Sequence, residues 1–566
     1  MSQDWAQLKA KRAGKAGTAR AVASSPSPAP SADRLDQSRI DLNGPEDAPS
    51  PMRLNYSHPD LPVSLAVHSI PGRGRGITAG RSFTPGSTLV STTPLVSVLD
   101  NRNLSQRCSA CYRTSDDNPT QKPLHQCSQC HTAQYCSPAC QTYDWKLHKL
   151  ECKALIQVAA IAKEKGKTKG RASGSNSSRS NHVLYFFSDD PKYRNRGKLD
   201  PEEQERFFHL SIAVAGYVGQ PTVAKSCPDS KSLIDLLSRF TSNSFSLTSP
   251  TDLTNIGVSI SPLTALFNHS CRPNAVVVFP SFPAISSSSP PSSSSPASST
   301  SLKHMKVIAI SPIREGEEVV TSYVDLGLPR KDRRKELRER YKFECTCEEC
   351  SRSATGKSVD PREAFEYGGG ESTCSTCHGV FEVPDIKTNL DSAKSVFESA
   401  EKTQYTDPAA SLINLSNLIS SLTSPSSQQP RLSLASYPLF HTYSLLLSLQ
   451  LDSQQFSLAS KTILSTWQGA ILLYPRGHPV RSILSTTLAR LASIPPSSPS
   501  PEEDLKYWSN LKERKLGLAL MIEALKECEI GFGGNGGGGE VGKKLRSLIK
   551  DQEEGIAMAV KVMRGT

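Results

Sequence analysis

An α+β chain is predicted, and three observations predict it. A grid of cysteines and one histidine occupies residues 108–152. Short apolar runs of strand length, punctuated by Gly and Pro, lie on both sides of that grid. From about residue 386 the pattern turns Leu- and Ala-rich with helical spacing and stays so to the end. The chain therefore reads as a β-rich first part interrupted by a metal-folded module, followed by an α-helical C-terminal part.

Residues 1–58 are rich in Ala, Ser, Pro, Lys and Arg and have little to bury, so a disordered tail is expected. Strand-type runs follow in 59–104, at 63–70, 76–79 and 88–98, separated by Pro71-Gly72 and Pro85-Gly86. The ligand grid spans 105–153 and reads Cys108-x2-Cys111, Cys127-x2-Cys130, Cys136-x3-Cys140 and His148-x3-Cys152. Each pair is spaced to bite one ion. Zinc takes four such ligands in a tetrahedron, so eight make two closed, structural sites. Few apolar residues surround them, and the module needs metal to fold. A disulfide knot is the competing reading; it is set aside because no secretory signal is read and the chain is mostly a large polar sequence of intracellular type. The stretch 136–156 has helical spacing, which puts His148 and Cys152 one turn apart on one face.

Residues 154–199 read as a flexible basic linker, with the run Lys163 to Arg171 at its centre. Residues 200–247 carry helical patterns, such as Leu233, Leu236, Leu237 and Phe240. Strand-like segments return at 256–260, 274–279 and 305–310. Between the last two, 281–303 is almost pure Ser and Pro at its core and reads as a disordered loop inside a hairpin. A linker at 353–385 holds Cys374-x2-Cys377, a metal half-site, and a Gly-rich break at 368–370. Helices are expected within 386–566 at 388–400, 408–422, 438–451, 454–473, 478–493 and 501–527. They suit an antiparallel array related to tetratricopeptide repeats, although no strict 34-residue period is present.

At 566 residues the chain is expected to hold about three or four domains. Its net charge is +12, much of it in the linker, which implies either a solvated segment or weak, salt-sensitive nucleic-acid contact. No apolar run reaches transmembrane length. A soluble monomer of nucleus and cytoplasm is expected.

Further motifs flank the grid. Upstream stands Gly72-Arg73-Gly74-Arg75-Gly76. Downstream stand Asn268-His269-Ser270-Cys271-Arg272-Pro273-Asn274, then Glu315-Gly316-Glu317-Glu318-Val319 with Tyr323. Last comes Tyr341-Lys342-Phe343-Glu344-Cys345-x-Cys347-x2-Cys350. In this order they resemble the SMYD family of lysine methyltransferases, a SET domain split by a MYND finger, with residues 341–352 as the post-SET segment after a catalytic core in 200–340. Tyr474-Pro475-Arg476-Gly477-His478-Pro479 is similar to a segment of that family's helical domain.

The resemblance implies S-adenosylmethionine-dependent methylation of a protein lysine, histone or other. It implies Gly72, Arg73, Gly74, Asn268, His269, Tyr323 and Phe343 at the cofactor, and Tyr323 as the catalytic tyrosine. Asn243, Ser244 and Phe245 match the segment lining the lysine channel. The glycines lack Cβ, so backbone can approach the cofactor closely. Asn268 has an amide that both donates and accepts, which suits a zwitterionic end. Family pairing puts Cys108, Cys111, Cys136 and Cys140 on one zinc, and Cys127, Cys130, His148 and Cys152 on another. Cys271 joins Cys345, Cys347 and Cys350 on a third. The alternative is an inactive SET/MYND scaffold recruiting proline-rich partners; the presence of Asn268, Tyr323 and the glycines argues against it. A DNA-reading zinc finger is excluded, since no recognition helix is present.

Overall fold

The structure is a computed structural model and describes residues 52–53, 58–117, 123–165, 199–219, 223, 227, 229–282, 305–352, 360–363, 365–368, 371–374, 380–423, 432–494, 511–534 and 537–564. Most of the expected tail, much of the basic linker, all but its first two residues of the Ser/Pro loop, and Cys377 lie outside the described residues; of Cys374 only the backbone is described.

In chain order the strands are β1 (Met52–Arg53), β2 (Leu65–Ile70), β3 (Gly74–Ala79), β4 (Thr88–Thr92), β5 (Val96–Leu99), β6 (His125–Gln126) and β7 (Gln134–Tyr135). The helices α1 (Pro138–Lys165), α2 (Pro201–Val218) and α3 (Ser230–Ser242) follow. Next come β8 (Ser244–Thr248), β9 (Asn255–Ile260), β10 (Asn268–His269), β11 (Ala275–Val278), β12 (Met305–Ala309) and β13 (Glu318–Thr321). Helix α4 (Arg330–Glu336) runs into a π-turn at Leu337–Tyr341, and α5 (Glu348–Arg352) follows. Then come β14 (Phe365–Gly368), β15 (Glu371–Cys374), β16 (Val380–Glu382), α6 (Val383–Thr403), α7 (Pro408–Thr423), α8 (Leu439–Asp452), α9 (Phe456–Leu473), α10 (Pro479–Leu491), α11 (Leu511–Gly531) and α12 (Gly539–Arg564).

Small sheets pack around one core. One has the order β1-β2-β3-β13-β10, with β10 parallel to β13 and the other pairs antiparallel. Others are β11-β12-β4 and β5-β9-β8. Alternating inward residues of the first two sheets, among them Leu65, Val67, Ile77, Leu89, Val307 and Val319, fill the core. Helix α2 starts on a reciprocal cap. The Asp200 carboxylate accepts from the Glu203 N–H at 2.8 Å, and Glu203 accepts from the Asp200 N–H, with Pro201 at the first helical position.

Three sequence expectations need correction. The run 88–98 is two strands in different sheets, because Pro94 cannot continue a ladder. The helical pattern of 200–247 ends at Ser242, where the backbone N–H of Asn243 closes on the Arg239 and Phe240 carbonyls and β8 begins. The stretch 353–385 is not all linker. Strands β14, β15 and β16 form an antiparallel meander there, with Gly368 paired to Glu371. Gly-rich sequence marked the first hairpin end, not a break.

The helical array docks on the β-rich part through two apolar seams. Phe440, Ala470, Leu473 and Tyr474 pack with Val324, Leu326 and Leu337. Cys528, Phe532 and Val541 pack with Val276, Val278, Ile308 and Ile310. No helix among the described residues is long and apolar enough to cross a membrane.

Candidate active site and metal centres

A cavity of about 1280 Å³ opens between the β-rich part and the helical array. Its wall includes Gly72, Arg73 and Gly74 from the β2–β3 turn, Asn268 and His269 from β10, Tyr323 just past β13, and Tyr341, Lys342 and Phe343 past the π-turn. Asn243, Ser244 and Phe245, at the α3–β8 junction, line it too. Every residue expected at the cofactor and the channel therefore meets one cavity.

Sheet pairing brings these distant segments together. β13 runs between β3 and β10, pairing Glu318 with Thr78 and Asn268 with Val320. Asn274 locks that arrangement. Its amide oxygen accepts from the Val320 N–H at 2.8 Å, and its amide nitrogen donates to the Glu318 carbonyl at 2.9 Å. The Glu318 carboxylate is the hub. It accepts from Asn268 Nδ2 at 2.8 Å and from Arg73 Nη1 at 2.5 Å, while Arg73 Nη2 donates to the His269 carbonyl at 2.5 Å.

The glycines of this turn are not alike. Gly72 and Gly74 have φ of +68° and +75°, and a Cβ on either would meet no protein atom within 4 Å. Positive φ by itself favours glycine at both positions. The close approach falls at Gly76, where a Cβ would lie 2.7 Å from Glu318 Oε1 and 2.8 Å from Asn268 Nδ2.

Tyr323 donates its hydroxyl proton to the Phe267 carbonyl at 2.6 Å. Burial, with Tyr341 nearby, pushes its pKa well above the usual value, so the phenol stays protonated. Its backbone N–H donates to Nδ1 of His269 at 3.0 Å. Nδ1 must then be the acceptor, so the proton sits on Nε2, which lies 3.3 Å from the Cys271 sulfur. The His269 side chain, 2% exposed, thus ties Tyr323 to the cysteine cluster. Tyr341 stacks near Tyr323, with ring centroids 4.8 Å apart, and donates to the Tyr323 carbonyl at 3.2 Å.

Sequence reasoning gave Tyr341, Glu318 and Gly76 no role. Tyr341 stands two residues before Phe343 in an aromatic–cysteine segment, which was the available signal. Nothing local marks Glu318 among its acidic neighbours.

Three clusters of metal-ligand type form: Cys108, Cys111, Cys136 and Cys140; Cys127, Cys130, His148 and Cys152; Cys271, Cys345, Cys347 and Cys350. In each, the ligand atoms lie within 4.8 Å of one another. Tetrahedral zinc with bonds of about 2.3 Å sets its sulfurs about 3.8 Å apart. The sulfur–sulfur separations bracket that value: Cys111–Cys136 3.6 Å, Cys136–Cys140 3.4 Å, Cys127–Cys152 3.9 Å and Cys271–Cys350 3.6 Å. Cys130 Sγ lies 3.5 Å from His148 Nε2, and the other ring nitrogen of His148 lies 3.3 Å from Glu151, the usual orienting partner of a ligating imidazole. The donor sets fit zinc.

Residues 74–324 match the SET domain family. The chain is also similar to known lysine methyltransferases. It is 30% identical over 304 residues to N-lysine methyltransferase SMYD2-B of Xenopus laevis, covering 51% of this chain and 61% of that protein. It is 30% identical over 292 residues to N-lysine methyltransferase SMYD2 of Homo sapiens, covering 50% and 59%. It is 27% identical over 328 residues to histone-lysine N-methyltransferase ASHR1 of Arabidopsis thaliana, covering 56% and 60%. The match thus spans about three fifths of the length of these relatives. Within the matched residues lie the whole first ligand grid, Asn268, Cys271 and Tyr323; the third cluster is completed by Cys345, Cys347 and Cys350 beyond their end.

Proposed function

We propose that the chain is an S-adenosylmethionine-dependent protein-lysine N-methyltransferase acting on histone or other proteins. One observation carries the reading. Arg73, Asn268, His269, Tyr323 and Phe343, drawn from four separate segments, line a single cavity, and residues 74–324 match the SET domain family. The cofactor, when bound, supplies an electrophilic methyl group.

The chain's own residues do the rest. The Asn268 amide and the Arg73 guanidinium, steadied by Glu318, are placed to hold a charged amino-acid end. The Phe343 ring offers an apolar face for a flat base. Tyr323 has spent its proton on Phe267, so what its hydroxyl oxygen still offers is lone pairs. They orient the incoming amine by accepting a hydrogen bond from it, and a protonated phenol does not itself remove the proton. Tyr341, also raised by burial, supplies a second ring beside it. An aromatic enclosure disfavours a charged lysine and favours the neutral amine that attacks.

In the same reading the grid at 105–153 is a MYND finger for protein partners, proline-rich ones included, and the third cluster is a post-SET zinc site. The C-terminal helices are a tetratricopeptide-like domain that closes one side of the cleft. Three structural zinc ions follow from twelve ligands.

The test is transfer of tritiated methyl from S-adenosylmethionine to proteins of a cell extract, with mass spectrometry of the labelled band. Labelling by the wild type and its loss in Tyr323→Phe are expected. No labelling by zinc-loaded, folded protein overturns the reading.

A further inference from the structure

At about 1280 Å³ the cavity is larger than the ~300–1000 Å³ usual for a small-ligand site. Part of its wall is left unused by the cofactor and channel assignments. That part comes from Asp325, two residues past Tyr323, and from the helical array, which supplies Phe440, His441 and Tyr474. The Phe440 and Tyr474 rings lie 6.0 Å apart between centroids.

Charge around the cavity is paired off except at Asp325. Of the lining cations, Arg73 meets Glu318 at 2.5 Å, Arg340 meets Glu336 at 3.9 Å, and Lys342 meets Glu203. The lining carboxylates are Glu344 and Asp325. Glu344 meets Arg334 at 3.1 Å and also Arg338. Asp325 meets no Lys or Arg among the described residues. Its Oδ2 accepts from His441 Nε2 at 2.9 Å, and its Oδ1 accepts from the Gly327 N–H at 2.7 Å and from the Tyr474 hydroxyl at 3.5 Å. Arg362 donates to the neighbouring Leu326 carbonyl, but it is engaged by Asp360 at 3.0 Å and Glu349 at 3.1 Å. Nδ1 of His441 is buried with no hydrogen-bond partner among the described residues, so a second proton on that ring would sit on an unsatisfied donor. The carboxylate is thus held in place by hydrogen bonds rather than by a fixed cation, while 46% of its side chain is open to the cavity. A positioned carboxylate beside aromatic rings is a receptor for a cationic head group.

We propose that Asp325, framed by Phe440 and Tyr474, binds a basic side chain of the protein substrate close to the lysine that is methylated. The proposal rests on the lysine methyltransferase reading of the cavity. The two lysine-type contacts are separate. Tyr323 turns its hydroxyl to Phe267 in the β-rich part, whereas Asp325 turns its carboxylate to His441 and Tyr474 of the helical array. Two residues span at most about 7 Å, so the recognised side chain belongs to a residue within about three positions of the target lysine. Asp325 selects the substrate and takes no part in the transfer.

The probe is a family of peptide pools offered to the full-length protein with tritiated S-adenosylmethionine. Each peptide has one central lysine and neutral residues elsewhere, save one position within about three of that lysine, fixed as Arg, Gln or Glu. Arg supplies the cation without adding a second acceptor amine. At one such position the wild type is expected to favour Arg over Glu about tenfold or more in kcat/KM, since one is attracted and the other repelled. Asp325→Asn is expected to bring that ratio within about twofold of unity, and Asp325→Lys to reverse it. Each ratio is internal to one preparation, so partial loss of folded protein does not move it. A wild-type ratio near unity at every position overturns the proposal. So does a ratio retained in Asp325→Asn, which leaves the carboxylate as a tie between the β-rich part and the helical array. S-adenosylmethionine Kd, from calorimetry, is expected to change less than about twofold in Asp325→Asn; a loss of about tenfold puts Asp325 at the cofactor and overturns the proposal too. If Asp325→Lys is not recovered folded, Asp325→Asn decides. Transfer to none of the pools nor to any extract protein overturns the methyltransferase reading itself, and the proposal with it.

Discussion

Tyr323 and Asn268 face the same cavity, and their hydrogen bonds predict opposite kinetic signatures. Tyr323→Phe keeps the ring against Tyr341 and loses the hydroxyl. It leaves the Phe267 carbonyl without its donor, at a cost of about 1 kcal/mol in stability. S-adenosylmethionine Kd should change less than about twofold, while kcat falls about a hundredfold or more, because the lost contact acts on the amine in the transition state. Calorimetry and turnover on the same variant check both; normal kcat with intact fold makes Tyr323 a packing residue. Asn268→Ala should instead weaken the cofactor by about 1–3 kcal/mol, the usual worth of a hydrogen bond to a charged group. Gly76→Ala tests the same hub without touching the cofactor. Its methyl group would collide with both Glu318 Oε1 and Asn268 Nδ2, so the two side chains must part. Cofactor Kd should rise several-fold with little loss of thermal stability. An unchanged Kd there removes the Glu318 hub from the binding argument.

Legibility differs among the elements for physical reasons. β2 was readable because its residues alternate between core and surface and Pro71-Gly72 ends it, while β3 and β12 were readable as short apolar runs. Pairs of candidate metal ligands were readable because coordination fixes their spacing; their grouping came from the family resemblance, and the structure assembles the same three sets of four. Glu318 was not readable, since its position depends on β13 pairing with strands some 50 and 240 residues earlier in the chain. The meander β14–β16 was hidden by Gly and Ser content that resembles a linker. The side-chain bonds of His269 were not readable, because a sequence cannot say which neighbour a ring nitrogen will meet. The third cysteine cluster joins two cofactor segments, with Cys271 three residues from Asn268 and Cys345 two from Phe343. Cys271→Ser should therefore lose one zinc of an expected three and most cofactor affinity together. Metal analysis and calorimetry on one preparation check this; zinc lost with full affinity retained uncouples the cluster from the pocket.

At the scale of the molecule, the helical array forms one wall of the cavity, and its acid sensitivity is predictable. Asp325, just past β13, accepts from His441 Nε2 of α8 at 2.9 Å and from the Gly327 N–H at 2.7 Å. Burial alone would raise its pKa, but His441 and these hydrogen bonds hold it down to about 2. Because 46% of the Asp325 side chain still faces the cavity, water screens the pair, which is worth about 1 kcal/mol or less. His478 is the more informative group. It caps α10, accepting from the Val480 N–H at 3.3 Å, and it stacks on Tyr474 at 4.6 Å. Burial pushes its imidazole down to about 4, against the weaker pull of Asp325 in the other direction. Between pH 6.5 and 4 the unfolded chain therefore binds a proton that the folded chain refuses. The contribution is fully present above pH 6.5 and is lost as pH falls toward 4. A protonated ring would also lose its acceptor for the Val480 N–H. His478→Asn keeps a capping oxygen and cannot titrate. Urea unfolding of the wild type should lose about 1–2 kcal/mol more than His478→Asn between pH 7 and pH 4.5, the span that a depressed imidazole opens once cavity water is allowed for. Equal losses in the two proteins would mean that the docked wall does not sense acid through this histidine.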